Sequence, residues 1–159
     1  DTNTPFATDL QISVDEPVLA QPTRVTSIRI LVTDDHAPAR ASLTQILSLV
    51  SKFEIVGEAV DGLDALHKAR LLQPDIVLMD LTMPRLDGLE ATRRLTAEFP
   101  RVKVIGLSMH DPAEMQPQMR AAGAYCFLHK STPADDLIAA IRAAMGLDAQ
   151  EDTAKDEPE

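Results

Sequence analysis

Cysteine is almost missing from this chain. Cys126 is the only one, so no internal disulfide can form, a usage that agrees with a reducing, cytoplasmic setting. Long apolar runs are missing too. Ile76–Met79 is among the longest, whereas a membrane-spanning helix needs about 20 apolar residues in succession. No membrane contact is expected of this segment. The first residues are acidic and hold no apolar core stretch, so they do not read as a signal peptide. No basic stripe is present, which argues against nucleic-acid binding by this domain. A Gly-x-Gly-x-x-Gly stretch is absent, which argues against a nicotinamide cofactor, and the lack of a Gly-Lys-Ser/Thr loop excludes a P-loop ATPase. His36, His67, His110 and His129 have the wrong spacing for a zinc site.

The formal charge of −10 over 159 residues is unevenly placed. Residues 1–27 carry four acids and one Arg, and the last twelve residues carry six acids and one Lys. The stretch between them is close to balance. The expected organisation is therefore a flexible linker or extension over 1–27, one domain over 28–146, and an acidic flexible tail over 147–159. The composition is 45% hydrophobic, enough for one domain with a proper core.

Within 28–146 a short apolar strand followed by an amphipathic helix repeats five times. The predicted strands are Ile28–Thr33, Glu54–Val60, Asp75–Asp80, Lys103–Ser108 and Ala124–Leu128. Near-continuous apolar runs such as IRILV and DIVLM suit parallel strands covered on both faces. Leu43, Ile46, Leu47 and Val50 follow helical spacing and predict one buried face for the first helix. Asp87 with Glu90 resembles a capping box. Thr132 before Pro133 predicts a cap followed by proline at the first helical position, and Gly146 closes that last helix. Pro117 falls where the fourth helix should run. It predicts either a late start, leaving His110–Gln116 as a longer loop, or a kink, with the late start favoured. Five such units form an α/β domain with a five-stranded parallel doubly wound sheet and helices on both faces. Periodicity does not give the strand order; the flavodoxin-like order 2-1-3-4-5 is one common solution.

In that order the first and third strands are neighbours. Asp34 and Asp35 follow the first strand and Asp80 ends the third. Acids at strand ends are also ordinary loop residues or helix caps. Three of them converging on one edge repel each other and call for a cation, with all-oxygen ligation favouring Mg²⁺ or Mn²⁺. Ser108 ends the fourth strand and Lys130 follows the fifth, at the same edge. Each alone reads as a turn residue or a solvated charge; together with the acids they suit the oxygens of a phosphoryl group.

The segments Ile30–His36 (ILVTDDH), Val77–Gly88 (VLMDLTMPRLDG), Val104–Ser108 (VIGLS) and Gly123–Lys130 (GAYCFLHK) resemble the receiver domains of two-component signalling. The Asp-Asp-His start, Val56–Glu58 (VGE) and the Lys-Ser ending are similar to the subgroup that accompanies helix-turn-helix outputs. The resemblance implies that Asp80 is the phosphoacceptor, forming an aspartyl phosphate. It implies Mg²⁺ ligation by Asp35, Asp80 and the backbone carbonyl of Thr82, with Asp34 acting through metal-bound water. It further implies that Lys130 and Ser108 hold phosphoryl oxygens and that Phe127 is the aromatic switch. Phe127 would enter space vacated by Ser108, and the face of the fourth helix, fifth strand and fifth helix would change shape. The implied partner is a histidine kinase or a phosphotransfer domain.

Ser131 follows Lys130 where many receivers have proline, so a trans bond is expected there. Ser108 replaces the more common Thr. A competing class is an aspartyl-phosphate phosphohydrolase, but the second acid such enzymes carry two residues after the nucleophile is here Thr82. A purely structural interaction domain is a third reading. The short acidic stretch after Gly146 holds no helix-turn-helix. The favoured parent is thus a hybrid histidine kinase ending in this receiver, with a stand-alone receiver or a response regulator cut from its DNA-binding output domain as the alternatives.

Overall fold

The computed structural model describes residues 27–81 and 87–147. Residues 1–26 of the expected extension, 148–159 of the expected tail and Thr82 lie outside the described residues. Five strands alternate with five helices: β1 (Ile28–Thr33), α1 (Ala37–Ser48), β2 (Phe53–Ala59), α2 (Gly62–Leu72), β3 (Ile76–Asp80), α3 (Gly88–Glu98), β4 (Lys103–Ser108), α4 (Pro112–Ala121), β5 (Cys126–His129) and α5 (Ala134–Ala144). All pairings are parallel and the sheet order is β2-β1-β3-β4-β5. This is the expected doubly wound arrangement.

Side-chain alternation divides the core in two. Ile30, Val32, Ile76, Leu78, Ile105 and Leu107 face α1 and α5, where they meet Leu47, Leu137 and Ile141. Leu31, Val77, Met79 and Val104 face the other way, onto Ala65 and Leu66 of α2, Ala91 and Leu95 of α3 and Met119 of α4. The central strands β3 and β4 are buried at nearly every position because each face is covered.

Several local expectations shift. β2 begins one residue early, at Phe53, and Val60 is exposed. β5 begins late, at Cys126. The amide of Ala124 is used instead to close α4 on Met119 O at 3.0 Å. Gly123, at φ +99°, makes that reversal, and a Cβ there would lie 2.5 Å from Thr96 Oγ1. In α1 only Leu47 is fully buried; Ile46, expected on the buried face, is 41% exposed beside the α5 side of the sheet edge. Thr132 does not cap α5. Its own amide donates to His129 O at 2.9 Å, Pro133 takes the cap position in extended conformation, and the helix starts at Ala134. Gly146 closes α5 as expected, at φ +79°. Asp87 caps α3 by accepting from Glu90 N at 2.8 Å. The Glu90 carboxylate turns to Arg93 and Arg94, so only half of the capping box forms.

Pro117 gives the clearest correction. α4 does not start late: Asp111 caps it by accepting from Ala113 N at 3.0 Å, and the helix runs from Pro112 past Pro117 to Ala121. The buried side of α4 explains why. Met119 and Ala122 are locked into the core and anchor the helix end, while Pro117 and Ala113 are exposed. The Ala113 carbonyl that loses its donor therefore faces water. An internal proline costs about 3 kcal/mol in a helix and returns up to about 1 kcal/mol by restricting the unfolded chain. Pro117→Ala should accordingly stabilise the domain by about 2 kcal/mol, measured by urea denaturation. An unchanged or lower midpoint would show that α4 has already absorbed the cost.

Candidate functional site

Strand register brings the site together. Thr33 pairs with Met79 across β1 and β3, so the residues that follow them, Asp34 and Asp80, are neighbours. Asp80 pairs with Leu107, which places Ser108 one step beyond it, and Ser108 pairs with His129, which places Lys130 next. The sequence-predicted Asp34, Asp35, Asp80, Ser108 and Lys130 thus share the C-terminal edge of the sheet, where open α/β sheets bind ligands.

Asp34, Asp80 and Ser108 are each 1% exposed, whereas Asp35 is open to solvent. One carboxylate oxygen from each of Asp34, Asp35 and Asp80 lies within 4.8 Å of the others. Like charges this close oppose each other unless something compensates. Lys130 is one compensator: its Nζ is 2.9 Å from Asp34 Oδ2 and 3.4 Å from Asp80 Oδ2. Partial burial works against the ammonium charge, but the hydrogen bond to Asp34 and the negative charges of Asp80 and Asp34 outweigh it. The Lys130 pKa is raised above its ordinary value, so the side chain is a cation throughout the neutral range. Three carboxylates against one ammonium still leave a negative excess. The donors are all oxygen, close-set and partly open to solvent through Asp35, which fits a small hard divalent cation such as Mg²⁺ or Mn²⁺.

The surroundings hold these groups in place. Asp34 N donates to Ala59 O at 3.0 Å, continuing the β1–β2 ladder past the strand end. Asp34 Oδ1 accepts from His36 N at 2.8 Å, and the Asp34 carbonyl accepts from an Arg40 terminal nitrogen at 2.6 Å. Arg40 Nε also meets Glu58 Oε1 at 2.9 Å, tying the acid loop to β2. Ser108 Oγ accepts from His110 N at 2.9 Å, which leaves its O–H for donation. The His110 side chain is exposed. No peptide bond among the described residues is cis, so Lys130–Ser131 is trans.

Phe127 is only 3% exposed and packs in the core with Met119 and Leu81. Its register partner is Gly106, where a Cβ would lie 3.1 Å from the ring and 2.5 Å from Met119 Cε. In this structure the ring's space is provided by the missing side chain of Gly106.

Sequence reasoning missed Arg40 and His129. The Arg40 bond to Asp34 was hidden because it ends on a main-chain carbonyl. His129, grouped only with the other histidines, bridges the two loops beside Ser108 and Lys130: its Nε2 is 2.9 Å from Met109 O. Its place next to Lys130, in register with Ser108, was the available signal.

Comparison with known proteins agrees with this geometry. The residue pattern of the response regulator receiver domain matches residues 30–142. Response regulator GacA of Pseudomonas viridiflava is 38% identical over 115 residues, 72% of this chain and 54% of that protein. Transcriptional regulatory protein DegU of Brevibacillus brevis is also 38% identical over 115 residues, covering 72% and 49%. The chain spans about half the length of these curated relatives. Among solved structures, the receiver domain of the putative response regulator NarL of Mycobacterium tuberculosis superposes with a TM-score of 0.72 at 31% identity, over 77% of this chain and 99% of that one. The response regulator domain of Thermotoga maritima CheB gives 0.71 at 34% identity, over 77% and 98%. With the matched stretch covering most of the chain and every residue gathered at the sheet edge, the chain belongs to the response regulator receiver domain family.

Proposed function

We propose that this domain is a phosphoacceptor switch in which Asp80 takes a phosphoryl group from the phosphohistidine of a histidine kinase or phosphotransfer domain. The observation that carries the reading is the buried Asp80 carboxylate held between the Lys130 ammonium and the acids Asp34 and Asp35. An Asp80 oxygen attacks phosphorus in line, the P–N bond breaks, and the imidazole leaves with the electron pair. Lys130 neutralises one phosphoryl oxygen, and the Ser108 O–H donates to another. Asp34, Asp35, Asp80 and the Thr82 carbonyl are the groups that would hold Mg²⁺, which supplies further neutralisation of the phosphoryl charge. A cleft of about 260 Å³ opens beside Asp34 and Lys130, lined by Leu43 and Ile46 of α1 and Leu137 of α5.

The engaged site then biases the face of α4, β5 and α5. Phe127, packed against Gly106 and Met119, links β5 to α4 in that response.

The parent is best read as a response regulator whose receiver is this segment, because the relatives named above carry regulator titles and are about twice as long. That favours the receiver separated from a DNA-binding output domain over the hybrid-kinase expectation. Contact with DNA is assigned to the output portion. A cytoplasmic location follows from this role; among the described residues no helix is long and apolar enough to cross a membrane.

Two measurements test the reading. Mg²⁺ at tenfold its dissociation constant should stabilise the fold by about 1.4 kcal/mol, and Asp35→Ala should lose most of that shift while remaining folded, because Asp35 is exposed. An equal Mg²⁺ shift in both proteins would remove Asp35 from the metal site. Phosphoramidate with Mg²⁺ should add one phosphoryl group, labile to hydroxylamine, by intact mass. Asp80→Asn should gain none; the same adduct on that variant would place the acceptor elsewhere.

A further inference from the structure

The last backbone bond joining β4 to β5 is Lys130 N to Ser108 O, at 2.8 Å. Beyond it the two strands run into separate loops, yet one side chain continues the join. His129 Nε2 lies 2.9 Å from the Met109 carbonyl oxygen. A carbonyl only accepts, so Nε2 carries the hydrogen. Nδ1 then offers a lone pair, and Ser131 N–H donates to it at 3.0 Å. The Ser131 hydroxyl, 2.7 Å from the same nitrogen, donates as well. The partners on both sides therefore agree on one neutral tautomer.

The bond to Met109 reaches the site through a single peptide plane. The Met109 carbonyl and the His110 N–H belong to the same planar unit. His129 holds its carbonyl end, and its N–H end donates to Ser108 Oγ at 2.9 Å. A pinned plane fixes the lone pair that Ser108 uses, and hence the directions left to its O–H. On the other loop the Ser131 N–H belongs to the peptide that leaves Lys130, so the same ring restrains the backbone carrying the ammonium.

We propose that His129 is a positioning residue for phosphoryl transfer to Asp80. Its imidazole clamps the 109–110 peptide to the 130–131 peptide, so that Ser108 and Lys130 approach the phosphoryl group as one preset pair. The proposal rests on the phosphoacceptor reading above. Its physical basis is that the chain leaves the sheet separately beyond Ser108 and beyond Lys130, whereas transfer needs both groups in place at once. A misplacement of about 1 Å can cost about a hundredfold in rate. A movement of the Ser108 hydroxyl must therefore break its bond from His110 N or carry the 109–110 peptide, and His129 with it.

The test compares wild type, His129→Leu and His129→Gln in the rate of phosphorylation by phosphoramidate at saturating Mg²⁺, with urea stability measured alongside. A glutamine amide nitrogen sits near the position of Nε2 and can donate to the Met109 carbonyl; leucine cannot. Loss of the clamp should slow transfer about tenfold in folded His129→Leu, and His129→Gln should recover to within about twofold of wild type. A fold staple alone would change the stability and leave the rate of the folded protein untouched. Equal rates in all three proteins overturn the proposal and leave the phosphoacceptor reading intact, whereas failure of the wild type itself to be phosphorylated removes both. Should His129→Leu not fold, the wild type still decides the clamp. Long-range imidazole ¹H–¹⁵N correlation should place the hydrogen on Nε2, and a hydrogen on Nδ1 overturns it.

Discussion

Burying two carboxylates side by side is unfavourable, and the site of this domain is organised around that cost. Asp34 and Asp80 are almost fully withdrawn from water, and Asp35 adds a third negative charge at the rim. Lys130 meets both buried acids, Asp34 across 96 residues of chain, so the first and fifth strands are coupled electrostatically at one edge of the sheet. Removing one partner of such a group leaves uncompensated charge, which is generally more costly than never having built it. The remaining negative excess is what suits the edge to a cation.

The rest of the fold serves to hold those charges at fixed spacing. Parallel strands covered on both faces allow little sliding, since a one-residue slip would exchange core residues between the two helical layers. Arg40 adds a restraint from α1 by holding the Asp34 carbonyl and the Glu58 carboxylate together. Gly106 and Gly123 act by what they lack. One leaves room for Phe127 against Met119, and the other lets α4 turn tightly beside Thr96.

The strands, their order of appearance and the five polar residues at the sheet edge were legible because they depend on alternation and on position relative to a strand end. Asp80 ends an apolar run, and no other arrangement of such a run places it differently. The misread elements depend on tertiary partners. Thr132 looks like a cap, but Pro133 takes the cap position in extended conformation and the Thr132 amide turns back to His129. Pro117 looks like a boundary until Met119 and Ala122 are seen to anchor the helix around it. Ile46 fits a helical stripe, yet it lines the cleft shared with Leu137 of α5 and stays 41% exposed. The His129 bridge and the Arg40 tie end on main-chain oxygens, which carry no signature in side-chain identity.

The ladder between β4 and β5 has a further consequence, for how this chain can change length. Ser108 and Lys130 meet because Ile105–Ser108 and Cys126–His129 run in step, residue for residue. An insertion in the turn at residues 99–102, or in the turn that follows α1, leaves every strand in phase. Loss of Cys126 would not. It would turn Phe127 toward the α1 and α5 layer, point Leu128 at Gly106, and carry the ammonium away from both acids. Evolution can lengthen such a domain at its turns, but within β5 it is confined to replacing residues one for one.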